Sequence, residues 1–165
     1  RQQILTQCLK AYEKRWYVLA FFEARRKENG EIRDAHFAVF SLDRIEKLVI
    51  LDEKFQVDRR FKVYEFYRDC YGIVPGEKTP TETVVLRAYG REAYSLRSLP
   101  LHHSQHETNT TSEYADFELC IKPTLDFAGK ILSRGEWIEI IKPEWFRNQV
   151  VEMIEKTARR YGKDV

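Results

Sequence analysis

The sequence predicts an α+β protein in two parts: a small antiparallel β module, then a ferredoxin-like βαββαβ plait with a C-terminal helix. Three observations predict this. Residues 15–22 (RWYVLAFF) are an apolar, aromatic and β-branched run bracketed by charges, as a buried strand is. Asn29-Gly30, between two such runs, is a strong short-range hairpin signal. From residue 83 onward, strand and helix patterns alternate in the order β-α-β-β-α-β-α, which is a split βαβ arrangement plus one helix.

Residues 1–13 (RQQILTQCLKAYE) fit either an extended lead-in or a short helix. Strand one covers about 15–22, with Lys14 and Arg15 before it and Glu23, Arg25 and Arg26 after it. A polar turn over 25–31 leads into strand two, about 33–45, which alternates over Phe40, Leu42 and Arg44. Val49, Ile50 and Leu51 form a third short apolar run. Together these pieces, residues 1–60, read as a small barrel or meander. Residues 54–60 are polar linker, and Phe61, Val63, Tyr64, Phe66, Tyr67 and Tyr71 recur at helical spacing until Gly72. Pro75-Gly76 and Pro80 punctuate a loop, so the domain boundary is expected at 73–81, with 61–80 a helix and linker.

The second domain, 81–165, reads more cleanly. Residues 83–89 are a strand, 90–97 a short helix ending before Pro100, 101–107 a strand and 108–113 a polar turn. Tyr114 to Ile121 alternates as a strand, 124–133 is a helix, and 136–141 is a strand. Pro143 then opens a helix to Tyr161, at the early position that proline favours.

Composition narrows the function classes. Hydrophobic residues at 43% and charged residues at 33% suit a globular chain rather than a disordered one. Net charge is only +2, so strong non-specific nucleic-acid affinity is not expected from the whole chain, while a local basic patch stays open. Cys8, Cys70 and Cys120 form no CxxC pair and read as free thiols of a reducing cytosol. No apolar run reaches the roughly 18 residues of a membrane span, and no signal peptide is present, so a cytoplasmic location is expected. The opening Arg1 reads as the start of a fragment of something longer. No Walker loop, G-x-G-x-x-G or metalloprotease motif occurs, and glycine is scarce at seven residues. No enzyme activity, cofactor or metal is therefore expected.

Arg15-Trp16-Tyr17-Val18, followed by Phe40-Ser41-Leu42-Asp43-Arg44-Ile45, resembles the WYL-domain family. Pro100-Leu101-His102-His103-Ser104-Gln105 and the strand–Pro–helix around 140–146 resemble the C-terminal extension that often follows that domain. The resemblance covers nearly the whole chain. It implies an SH3-like (Sm-like) β-barrel that senses a ligand, behind a winged helix-turn-helix, in dimeric bacterial transcription regulators. The implied ligand is single-stranded nucleic acid or a nucleotide-like anion in a basic pocket. Three departures stand out. Val18 replaces the Leu of the family's name. Ala38 stands where many members carry Arg, so Arg33 or His36 would have to substitute. No helix-turn-helix precedes the barrel, whose early strands also look absent, so operator DNA would be reached only through a part not in this chain.

Arg44 is the leading site residue. On an alternating strand it shares a face with Phe40 and Leu42, which suits a guanidinium clamping phosphate. A salt bridge to Asp43 or to a carboxylate elsewhere, or an Arg at a strand end reaching water, is the competing structural reading. Trp16 and Tyr17 point to opposite faces; Trp16 is expected in the core and Tyr17 near the ligand, available for base stacking. Arg15, Arg33 and His36 complete the expected set. His102, His103 and His106 lack partners at zinc spacing and read as structural or interface residues, and Ser104 beside His103 makes no nucleophile–base pair. The basic runs 25–27 and 59–60 read as solvated turns. A purely structural interaction and dimerisation module is the alternative function.

Overall fold

The computed structural model describes residues 4–26, 30–56, 60–76 and 78–163. The chain is α+β, with four α-helices among the described residues and antiparallel sheets. It divides into two compact units, Arg1–Arg68 and Asp69–Val165. Among the described residues no helix is long and apolar enough to cross a membrane.

The first unit is built on β1 (Leu5–Tyr12), β2 (Arg15–Phe22) and β5 (His36–Ser41), in the order β1-β2-β5. The segment left open between strand and helix is thus a strand. Its partner β2 follows after only Glu13 and Lys14, both at positive φ (44° and 65°), which is the backbone twist a two-residue hairpin requires. Among the described residues the short strands β3 (Arg25–Arg26) and β4 (Ile32–Arg33) pair only with each other. Gly30 has φ 85°, as the expected turn needs, while Asn29 and Lys27 lie outside the described residues, as does Arg59 of the second basic run.

Among the described residues no sheet closes into a barrel, so the expected barrel is corrected to an open three-stranded sheet. One cause is visible in strand two. Pairing with β2 ends at Tyr17↔Ser41. Beyond it the chain makes a local bond, Ile45 N–H to the Leu42 carbonyl, and Leu42–Arg44 becomes a 3-10 turn. Arg44 is therefore not on a strand, and the face it was expected to share with Phe40 does not exist. Val49–Leu51 forms no strand either; Ile50 is 89% exposed. The small core of this unit comes from the middle of β2, with Val18, Leu19, Ala20 and Phe22 all buried. Phe37, Phe61 and Phe66 stack in a cluster with centroids 4.8–5.4 Å apart. That cluster holds the short helix α1 (Val63–Tyr67) in the first unit.

The second unit contains β6 (Glu82–Tyr89), α2 (Arg91–Ser98), β7 (His106–Thr110), β8 (Tyr114–Ile121), α3 (Leu125–Leu132), β9 (Ile138–Lys142) and α4 (Glu144–Arg160). Its sheet order is β7-β8-β6-β9, every pair antiparallel. Each helical connection therefore passes over one intervening strand. Alternation puts Val84, Leu86 and Ala88 of β6, and Ala115, Phe117, Leu119 and Ile121 of β8, on one face. They form the core with Leu96, Phe127, Ile131, Ile138, Ile140, Phe146 and Val150.

Two details differ from the expected elements. Residues 101–105 are a turn, and the strand begins at His106. Here side chains replace the ladder: the Gln105 amide donates to the Leu96 carbonyl (2.7 Å) and accepts from the Leu101 N–H (2.9 Å). Pro143 precedes α4 as its N-cap in an extended conformation rather than occupying its first turn.

Candidate nucleic-acid interface

The expected site residues fall into two groups at opposite ends of β2. Tyr17 pairs with Ser41 at one end and Phe22 with His36 at the other, about 17 Å apart at strand rise. At the far end, His36 stacks on Phe22 (centroids 5.0 Å, planes 10° apart). Its Nδ1 lies 3.0 Å from the Asp34 carbonyl and its Nε2 3.2 Å from Arg33 Nη2. A guanidinium can only donate, so this pairing fits the tautomer with the proton on Nδ1. Arg33 and His36 are thus brought together, but away from the other three.

At the hairpin end, two adjacent strands place cationic and aromatic residues on one face. Register sets Lys10 opposite Tyr17 and Tyr12 opposite Arg15, and alternation puts all four on the same side. Lys10 Nζ sits 3.9 Å from the centroid of the Tyr67 ring. Arg15 approaches Asp43 of the 3-10 turn at 3.7 Å, with both side chains about half exposed. Arg44 is the next residue. It is exposed and makes no ion pair among the described residues. The salt bridge to Asp43 considered for Arg44 is made by Arg15 instead. Tyr17 is half-buried, whereas Trp16 is 57% exposed, the reverse of its expected core position. Trp16 pairs with Ala11 near the hairpin turn, where among the described residues the sheet has only two strands. Lys10 and Tyr12 were missed because residues 1–13 had no assigned element. The short spacing from Tyr12 to Arg15 was the signal that a hairpin lay there.

His102, His103 and His106 do not all meet at one point. The His102 ring is buried and meets His103 at 4.0 Å between centroids. Its Nδ1 lies 2.7 Å from Ser104 Oγ. That hydroxyl also accepts from the Cys120 N–H (2.9 Å) and donates to the Cys120 carbonyl (3.1 Å). Ser104 thus occupies the edge of β8 where β7 has not yet begun, a structural role. His106 faces Glu118 across the strands at 3.9 Å. Among the described residues, no three His, Cys, Asp or Glu side chains gather as a metal site.

The face of the second sheet opposite its core is polar and internally paired. Arg87 donates from Nε and Nη2 to the two Asp116 oxygens (2.8 and 3.0 Å) and lies 3.8 Å from the Tyr114 ring centroid. The Tyr89 hydroxyl donates to Glu139, which raises the phenol's pKa, and Arg147 reaches the other Glu139 oxygen (3.0 Å). The Arg87 bonds, helped by Asn109, hold the Asp116 carboxyl below its ordinary value. Such a group adds stability above its unfolded pKa of about 3.9 and loses it as pH falls through the lower folded value. The melting temperature is therefore expected to fall as pH drops below about 4. Asp116→Asn should flatten that acid limb, which a series of thermal melts checks. An equally steep limb in the variant would refute the assignment.

No protein-family model matches the chain, and no curated protein matches it significantly.

Proposed function

We propose that the chain is the ligand-sensing and dimerisation region of a WYL-type bacterial transcription regulator, and that it binds an anionic, nucleic-acid-like ligand. The observation that carries this reading is the face formed by Lys10, Tyr12, Arg15 and Tyr17, with Arg44 following Asp43, the residue that Arg15 meets, and Arg44 itself making no ion pair among the described residues. Interleaved cations and aromatic rings are what single-strand binders use: charge tracks the phosphates and rings stack the bases. Arg44 meets phosphate, Arg15 assists it, and Tyr17 supplies the stacking surface. Arg33 and His36 lie at the other end of β2 and would reach a second phosphate of an extended strand. The sheet order β7-β8-β6-β9, with helices passing over single strands, supports a ferredoxin-like extension domain in the second unit. Binding shifts a dimer's arrangement, and with it the DNA-binding parts, only if the ligand prefers one arrangement.

The test is fluorescence anisotropy of labelled single-stranded DNA and RNA at two salt concentrations, with wild type and Arg44→Ala. Wild type is expected to bind, more weakly at the higher salt. Arg44→Ala should weaken binding by about tenfold or more, since a hydrogen bond to a charged group contributes about 1.5–3 kcal/mol. Affinity unchanged in the variant, or no binding by wild type, would remove this reading.

The exposed apolar run Leu48, Val49, Ile50 and Leu51 favours the second reading, a structural interaction module with no small ligand. The same titration separates the two.

A further inference from the structure

Helix α4 outruns the core that it covers. Phe146 and Val150 are buried, but no described residue after Val150 is. The later turns are still not polar all round. At 100° per residue, Val150, Val151, Ile154, Thr157, Ala158 and Tyr161 fall within a stripe of about 120°. Val151 and Ala158 are seven residues apart, as are Ile154 and Tyr161, which is the spacing of a helix–helix seam. Yet Val151, Ile154 and Tyr161 are 42, 50 and 83% exposed.

Val150, Ile154, Thr157 and Ala158 of this stripe form one wall of a groove of about 540 Å³, and Val151 and Tyr161 lie outside it. The opposite wall is Ile131 and Leu132 of α3, Ile138 closes it, and Gly135-Glu136 forms the rim. A Cβ added at Gly135 would meet nothing within 4 Å, so the groove is open there. Glu136 is the one ionisable residue of the lining, and among the described residues it makes no ion pair. The acidic residues of α4 beside the stripe are satisfied within the helix, Glu152 by Lys156 and Glu155 by Arg159. A small apolar molecule would fill the groove but leave Val151 and Tyr161 bare.

We propose that this groove docks an amphipathic helix of a partner protein, with apolar residues at heptad positions and a basic residue set against Glu136. The seam spacing argues for a helix as occupant, since only an element of the same period contacts Val151, Ile154, Ala158 and Tyr161 in register. The single unpaired carboxylate at the rim argues for a basic flank. This surface lies in the second unit and is independent of the anion site.

The test uses the whole chain and a fluorescein-labelled 21-residue helical peptide, Leu at positions a and d and Lys at e and g, at concentrations where it is monomeric. A second peptide carries Glu in place of Lys. Saturable 1:1 binding of the Lys peptide is expected, weakened at least tenfold by Ile154→Glu. Glu136→Lys should weaken the Lys peptide and strengthen the Glu peptide. Both substitutions are at exposed positions, and circular dichroism melts confirm that the variants fold. Binding that ignores Ile154→Glu, or no binding, overturns the proposal. Sedimentation of the chain alone supplies the last outcome: a dimer that Ile154→Glu dissociates would assign the groove to a second copy and overturn it too.

Discussion

Phe127→Ala is expected to destabilise the second unit by about 3–5 kcal/mol, the range for emptying a buried aromatic site. Phe127 is fully buried on α3 and stacks on Phe146 of α4, with centroids 5.8 Å apart and planes 10° apart. Its other side meets Tyr71 at 5.5 Å. The ring is therefore where α3, α4 and the segment entering the unit come together. Two aromatic neighbours on two separate segments cannot both collapse onto the void, which places the cost toward the upper part of the range. Leu125, two residues away on the same helix, is 63% exposed, and Leu125→Ala should change stability by no more than about 0.5 kcal/mol. The measurement is urea unfolding followed by tryptophan fluorescence in a Trp16→Phe background. Trp137 and Trp145 are then the only indoles left, and both lie in the second unit. Similar losses for Phe127→Ala and Leu125→Ala would mean that this core is not packed around α3 as described.

The parts of the fold that were legible are those where burial leaves a pattern. β2 has the expected bounds because its apolar run ends at charges on both sides. In β6 and β8 the alternation survives because one face is core and the other is polar. β7 is exposed at every position, so it carries no alternation, and its start was placed five residues early. β1 alternates only between half-buried and exposed positions, with Gln7 and Lys10 inside it, so its residues fit a helix as well as a strand. Arg44 followed a different logic. Periodicity puts it on an alternating strand, but that strand ends at Ser41, where the chain leaves β2 for a 3-10 turn although β2 itself continues to Arg15. Pairing partners are a property of the tertiary fold, not of local periodicity. For the same reason Trp16 looked like core: the exposure of an aromatic near a hairpin turn depends on which strands lie beside it. The two ends of β2 could not be told apart without register, so Arg33 and His36 were grouped with residues about 17 Å away.

Gly72→Ala is expected to cost about 3 kcal/mol or more, and the cost should depend on Asp126. Gly72 has φ 77°, where an alanine pays roughly 1–2 kcal/mol even in open space. The space here is not open. A Cβ at this position would overlap the Asp126 carboxylate, with Asp126 Cβ and Cγ each only 2.9 Å away. Asp126 cannot simply swing aside, because its Oδ2 accepts the backbone N–H groups of Ile73 (2.8 Å) and Val74 (3.0 Å). Hydrogen bonds to a charged group contribute about 1.5–3 kcal/mol each. Relieving the collision would give up those bonds and release the 72–74 turn from the start of α3. Gly30 has a similar φ of 85°, and a Cβ added there would meet nothing within 4 Å, so Gly30→Ala should pay the backbone strain alone. A double-mutant cycle separates the two contributions. In an Asp126→Ala background the carboxylate is gone and its bonds are already lost, so Gly72→Ala should then cost less than in the wild type, but still more than Gly30→Ala, because the Cβ of residue 126 remains 2.9 Å from the new one. If Gly72→Ala costs as much with the Asp126 carboxylate present as without it, the carboxylate is not what requires glycine here, and backbone strain together with the contact to the residue 126 Cβ accounts for the position.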